Sequence, residues 1–385
     1  MPLFVICFSL LVLTSCSQKP TTNDLKFVDV FQHNDGHYPE YRIPALATSN
    51  EGTLLAFCEG RERSSDHAEN DIVLKRSLDN GATWGEAIVV FEDGANVAVN
   101  PTAVVLPSGR ILLMFQHFPA NWHARPMDGG KIKLLNPGVT GEFISKTFLM
   151  HSDDDGLTWS EPRDVTEGTK RPELVNSTAT GPGVGIVLTR GDFKGRIIMP
   201  TNEGIWDKHL RDFSVYACFS DDDGETWQYG DNAPNGDDGK GNEVQMVELA
   251  DGSILLNSRS IYGAKVRKQA ISKDGGITWS PLKDNHDLIE PQCMGSIVRH
   301  RWPEEGGSIL LYSGPATQDR REKGAIFISQ DEGKTWPERK EVYAGGFAYS
   351  CLTVLPDGSV GLLFEADGYK SIKFVRIQGA TFVKK

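Results

Sequence analysis

The apolar residues of this chain come in short bursts with the character of β-strands. Asp71 to Arg76, Lys146 to His151, Ser214 to Phe219 and Gly324 to Ile328 are brief alternating or apolar runs closed by turn-forming residues. Thr53 to Glu59, Arg110 to Phe115, Ser350 to Leu355, Ser359 to Glu365 and Lys373 to Ile377 read the same way. Helical periodicity is hard to find, so the pattern predicts an all-β chain.

All four runs in the first group lead into one short motif. It occurs as Ser77-Leu78-Asp79-Asn80-Gly81-Ala82-Thr83-Trp84, Ser152 to Trp159, Ser220 to Trp227, Ser272 to Trp279 and Ser329 to Trp336, all fitting S-x-D-x-G-x-T-W. The chemistry is that of a hairpin. The Asp carboxylate can accept turn amides, the Gly can take positive φ, and the Thr and Trp can pack back on the sheet. Successive copies start 75, 68, 52 and 57 residues apart, which suits four-stranded propeller blades carrying loops of different length. Five blades are marked in this way. Strands from the two ends of the chain, sharing one more blade, would close a ring, so the prediction is a six-bladed β-propeller. Turns at a blade periphery lie far from an axial cleft, so the repeated Asp residues are assigned to structure. The motif, the Asp-box, indicates a fold and leaves function open.

Composition changes this picture little. At 385 residues, with 39% hydrophobic and 24% charged residues, 40 Gly and 20 Pro, the chain has the core and the turns for one large all-β domain. The net charge of −12 is spread along the sequence without a Lys/Arg block, which argues against a nucleic-acid partner. An anionic ligand would require positive charge gathered locally.

The first residues do alter the domain plan. Met1 to Leu13 is an apolar stretch too short to span a membrane and of signal-peptide length. Leu13-Thr14-Ser15-Cys16 then looks like a bacterial lipoprotein cleavage box, with a plain signal peptide as the alternative because no Lys or Arg precedes the apolar run. The expectation is a signal peptide over 1–16 ending at a lipidated Cys16, a flexible tether over 17–24, and one β-propeller domain over 25–385. The protein would be exported to the outer membrane or cell surface, facing periplasm or medium, and would touch membrane only through its lipid. Cys58, Cys218, Cys293 and Cys351 lie far apart with no metal-ligand spacing, and are expected to be buried free thiols.

Outside the repeats stand Tyr41-Arg42-Ile43-Pro44, Glu59-Gly60-Arg61, Ser65-Asp66-His67-Ala68, Asn242-Glu243-Val244-Gln245, Asn257-Ser258-Arg259-Ser260, Arg320-Arg321 and Ala348-Tyr349-Ser350. In this order, together with five Asp-boxes, they resemble the sialidase (neuraminidase) family of retaining glycosidases from about Tyr41 to the C-terminus. The resemblance implies an exo-α-sialidase that removes terminal sialic acids from glycoconjugates with retention, without metal or organic cofactor. It implies an arginine triad of Arg42, Arg259 and Arg321 for the substrate carboxylate, with Arg320 as alternative third member, and Glu365 bracing Arg42. Arg61 would contact ring substituents or position the acid. Tyr349 would be the nucleophile, Glu243 its base, and Asp66 the acid that later acts as base.

Those residue types suit the chemistry. Guanidinium groups pair with a carboxylate in bidentate fashion and stay charged at any working pH. A neutral phenol avoids the repulsion that a carboxylate nucleophile would meet at an anomeric carbon already bearing a carboxylate, but it needs an adjacent base. The segment from Gln116 to Lys146, with Trp122, His123 and Arg125, matches no family motif and reads either as a cleft-rim loop or as a surface insertion. Several readings stay open. One is hydrolysis of another 2-keto-3-deoxy sugar acid glycoside, and another is transfer to a sugar acceptor. A sialoglycan-binding propeller without activity ranks below both, because it would not need Asp66, Tyr349 and Glu243 together.

Overall fold

The computed structural model describes residues 25–126, 128–206, 211–236 and 239–383. The predicted signal peptide, Cys16 and the tether lie outside the described residues. Among those described, helix is confined to one α-helical turn, Thr166–Thr169, and short 3-10 turns. Everything else that is regular is strand.

The strands form six four-stranded blades in chain order. The first comprises Glu40–Thr48, Leu54–Arg61, Asn70–Ser77 and Ile88–Phe91, from the innermost strand outward. The second comprises Val97–Val105, Ile111–Phe118, Lys146–Ser152 and Arg163–Asp164, and the third Ser177–Thr180, Ile197–Trp206, Arg211–Ser220 and Gln228–Tyr229. The fourth runs Gly239–Glu248, Ile254–Gly263, Val266–Ser272 and Lys283–Ile289. Ser296–Arg301, Ile309–Pro315 and Glu322–Ser329 build the fifth. The long strand Glu338–Val354 is shared: its first half pairs with Glu322–Ser329, and its second half crosses to become the innermost strand of the sixth blade.

The sixth blade closes the ring as predicted. Val360–Ala366 and Ser371–Ile377 follow the shared strand, and the N-terminal strand Phe27–Gln32 adds antiparallel to Ser371–Ile377 as the outer strand. Both ends of the chain are thereby tied into one sheet.

The cores lie between the blades. Apolar layers join the first and second blades around Phe57 and Phe115, the second and third around Met114 and Met199, and the third and fourth around Ile198 and Ile254. The layers continue through Leu255 and Leu310, Leu311 and Phe364, and Leu46 and Leu363 back to the first blade. A strand covered on both faces by neighbouring blades cannot alternate polar with apolar. Leu54–Arg61, Ile111–Phe118 and Val360–Ala366 are buried at every residue and each opens with a continuous apolar run, Leu54 to Cys58, Ile111 to Phe115 and Val360 to Phe364, before its polar residues.

All five Asp-boxes connect the third and fourth strands of a blade, and they share one network. In the first, Ser77 Oγ donates to Asp79 and accepts from Gly81 N, while Asp79 accepts from Thr83 N and Thr83 Oγ1. The same bonds recur around Asp154, Asp222, Asp274 and Asp331. The Gly and the residue before it are both left-handed in each copy, for example Asn80 (φ 58°) and Gly81 (φ 85°), and that is the turn this motif encodes. Cys58, Cys218, Cys293 and Cys351 are buried free thiols.

Candidate active site

The innermost strands carry irregularities at one end of the ring. Register slips between Arg42 and Ala45, Val99 and Thr102, Gly241 and Val244, and Phe347 and Ser350 put bulges in the first, second, fourth and sixth blades. A bulge turns side chains that a regular strand would bury into the neighbouring blade, and here it aims them at the axis. Arg42, Asn100, Glu243 and Tyr349 all stand on these bulges, and all four line one pocket of about 390 Å³. That volume suits a single sugar.

The first bulge is strained. Ile43 has φ 61°, a region that β-branched residues avoid, and it is held there by Glu365. Glu365, buried on the second strand of the sixth blade, accepts Arg42 Nε at 2.6 Å and Ile43 N at 2.9 Å on one oxygen, and Tyr349 N at 3.2 Å on the other. One carboxylate thus fixes Arg42 and the backbone that carries Tyr349.

At the pocket floor the Tyr349 hydroxyl donates to Glu243 Oε1. Arg259 NH1 donates to Glu243 Oε2 at 2.7 Å and to Tyr349 Oη at 2.9 Å. Arg321 lies 5.2 Å from the Tyr349 ring and donates to Gln292 O and Tyr369 Oη. Burial, together with the Glu243 charge, pushes the Tyr349 phenol well above its ordinary range against the opposing pull of Arg259 and Arg321. Tyr349 is therefore a neutral phenol whose proton already rests on a hydrogen bond to a carboxylate.

The opposite wall holds a second chain of charges. Glu59 is fully buried and accepts Arg61 Nε at 2.8 Å and Asn100 N at 2.8 Å, while Arg61 NH1 reaches Asp66 at 2.9 Å. Arg61 is only 2% exposed, whereas the Asp66 side chain is 51% exposed to the pocket mouth. What burial Asp66 has acts to raise its pKa, but the Arg61 and Arg42 charges outweigh this and hold it down to about 2. His123 stacks edge-on against His67 at 4.2 Å, beside Asp66. Burial, helped by nearby positive charge, lowers the His123 pKa to about 3, so it is neutral.

A larger cleft of about 680 Å³ opens at the rim among Asp153, Asp154, Asp155 and Asp223. Its acidic lining would repel an anionic ligand. Charge distribution, rather than size, therefore singles out the axial pocket.

The family described as BNR repeat-like domain matches residues 52–362. A sialidase from Micromonospora viridifaciens is 35% identical over 338 residues, which is 85% of this chain and 50% of that protein. A sialidase from Paraclostridium sordellii is 29% identical, covering 93% of this chain and 91% of its own. The solved structure of the Hadza microbial sialidase Hz136 matches with a TM-score of 0.81 at 30% identity, over 93% of this chain and 69% of that one. The chain belongs to the sialidase family. It spans about half the length of the Micromonospora sialidase. The intramolecular trans-sialidase from Ruminococcus gnavus, at a TM-score of 0.76 and 21% identity, shares the sialidase fold.

Within this sialidase pocket stand Arg42, Arg61, Asp66, Glu243, Arg259, Arg321 and Tyr349 together, although they come from four blades. Arg320 is exposed and Arg321 lines the pocket. Glu365 sits behind the pocket, bonded to Arg42. The 116–146 segment divides: Phe118, His123, Ala124 and Arg125 line the pocket, so its first part is a cleft-rim loop. Sequence reasoning left Glu59, Asn100 and Tyr369 without roles. Asn100-Pro101 repeats the placement of Ile43-Pro44, and a Pro inside a strand is the one sign that could have marked the second bulge. Nothing comparable announces Tyr369.

Proposed function

We propose that this protein is an exo-α-sialidase that hydrolyses terminal sialic acids with retention through a glycosyl-tyrosine intermediate. The observation that carries the proposal is the Tyr349 hydroxyl bonded to Glu243 within reach of Arg259, in a pocket that Arg42 and Arg321 also line.

In this reading Arg42, Arg259 and Arg321 bind the sugar carboxylate, each charge-assisted hydrogen bond contributing about 1.5–3 kcal/mol. Their positive charge also stabilises the developing oxyanion of Tyr349. Because that phenol is held well above its ordinary pKa, its proton passes to Glu243 as the oxygen attacks rather than beforehand. Asp66 donates a proton to the departing oxygen and later takes one from the water that cleaves the intermediate. In the open pocket its low pKa keeps it ionised. The arriving carboxylate neutralises Arg42, one of the two cations responsible, and the aglycone covers the exposed face of Asp66. Both changes favour its protonated form.

Two further expectations belong to this proposal. The domain works outside the cytoplasm as an exported bacterial lipoprotein, an assignment that rests on the sequence through Cys16. Its partners are sialylated glycans.

Proton NMR of α-2,3- and α-2,6-linked sialosides treated with the purified domain tests the chemistry. The expected result is free sialic acid appearing first as its α-anomer and then mutarotating. First appearance of the β-anomer contradicts retention, and release of no sugar acid contradicts the proposed activity.

A further inference from the structure

We propose that Tyr369 is a fourth carboxylate-binding group of this pocket, an inference that rests on the sialidase reading above. Tyr369 lies in the turn joining Val360–Ala366 to Ser371–Ile377 and lines the pocket beside Arg42 and Arg321.

The turn is built at a conformational cost. Asp367, Gly368 and Tyr369 are all left-handed, with φ of 53°, 72° and 71°, and two of the three are not glycine. Such strain persists only where surrounding contacts impose it, and it gathers at functional sites. The anchors are visible. Asp367 N donates to Gly346 O at 3.0 Å, Lys370 N to Ala366 O at 3.1 Å, and the Tyr343 hydroxyl to Asp367 Oδ2 at 2.6 Å.

The consequence of the turn is the position of one ring. The Arg42 guanidinium carbon lies 3.9 Å from the Tyr369 ring centroid, closer than to the Tyr349 ring at 5.8 Å. Arg321 NH1 donates to Tyr369 Oη at 3.1 Å. Tyr369 thus bridges two arginines that reach the pocket from the first and fifth blades. It covers one face of Arg42, whose Nε and NH2 are already engaged by Glu365.

A phenol that accepts one hydrogen bond still has a proton to donate. Among the described residues the Tyr369 hydroxyl makes no bond besides the one it accepts from Arg321. A carboxylate drawn between Arg42 and Arg321 would meet that O–H, so Tyr369 adds a neutral donor to the three cations.

The test compares wild type with Tyr369→Phe, which keeps the ring over Arg42 and removes only the hydroxyl. The probes are 2,3-didehydro-2-deoxy-N-acetylneuraminic acid and its methyl ester, with affinities measured by calorimetry and folding checked by thermal melting. The expected result is about ten-fold weaker binding of the acid, the loss of one charge-assisted hydrogen bond, with less than about two-fold change for the ester. Equal losses on both probes, or no loss on the acid, overturn the proposal. Sialoside turnover by wild type is measured in parallel. If wild type binds the acid but turns over no sialoside, the catalytic reading fails while the acid-to-ester difference still decides Tyr369. If wild type binds neither probe, both fail.

Discussion

Asp154 at the rim and Asp66 at the axis are both held down to about 2, for opposite reasons. Asp154 belongs to an Asp-box, and its own turn satisfies it: the Thr158 hydroxyl at 2.5 Å, Thr158 N at 2.8 Å and Ser152 Oγ at 2.8 Å all donate to it. Among the described residues Asp66 accepts one bond, from Arg61, and it leaves half its surface to the pocket. Hydrogen bonds from its own turn hold the first carboxylate, and the charges of Arg61 and Arg42, carried by two strands of the first blade, hold the second. A low pKa therefore does not by itself mark a functional acid. Unused hydrogen-bonding capacity facing a cavity does.

This contrast predicts large consequences for chemistry at the axis and small consequences for stability at the rim. The largest effect is expected from Tyr349→Phe, which keeps the ring and removes the attacking oxygen. Steady-state assays on an aryl sialoside should show kcat lower by on the order of 10³-fold or more with an unchanged melting temperature. A loss of less than ten-fold would make Tyr349 a packing residue.

An intermediate effect is expected from replacing the Glu59–Arg61 pair by Gln at both positions, so that neither partner is left as an unpaired buried charge. The sign follows from Asp66, whose depressed pKa means that above about 2 its protonated form becomes scarcer as pH rises. Removing the Arg61 cation raises that pKa toward its ordinary value. The basic limb of the kcat/KM profile then moves to higher pH, while the maximum falls by roughly ten-fold as Asp66 loses the hydrogen bond from Arg61. An unmoved limb would show that Arg61 does not tune the acid.

The smallest effect is expected from Asp154→Ala. Solvent competes for each of its bonds, so the cost should be about 1 kcal/mol, a drop in Tm of about 2 °C for a domain this large, with kcat/KM unchanged. A kcat/KM loss beyond two-fold at this site would remove the division between rim and axis.

The same contrast explains what the sequence could disclose. The Asp-box is local: eight residues contain the acceptor, the donors and the left-handed Gly, so each copy is legible by itself and the spacing gives the blades. The terminal strand Ser371–Ile377 is legible as a strand, and ring closure supplies its pairing with Phe27–Gln32. The axial site is assembled from single residues far apart in the chain. Tyr349 and Glu243 are separated by 106 positions, and only resemblance to a known family could associate them. Glu59 stood within a quoted motif, but its role depends on burial, which a strand-like string of apolar neighbours does not disclose. Tyr369 depends on a strained turn folding back over Arg42. That contact arises from packing between blades and leaves no periodic trace.

The proposed chemistry turns on the oxygen that attacks the sugar. Treating the protein with 2,3-difluorosialic acid, whose fluorine at C3 slows breakdown of a glycosyl-enzyme, and mapping the adduct by peptide mass spectrometry tests this directly. The expected result is one adduct per chain, on the peptide bearing Tyr349, that disappears on incubation with an acceptor sugar or prolonged exposure to water. An adduct on Asp66 or Glu243, or turnover of sialosides by a protein that never forms an adduct, would contradict it.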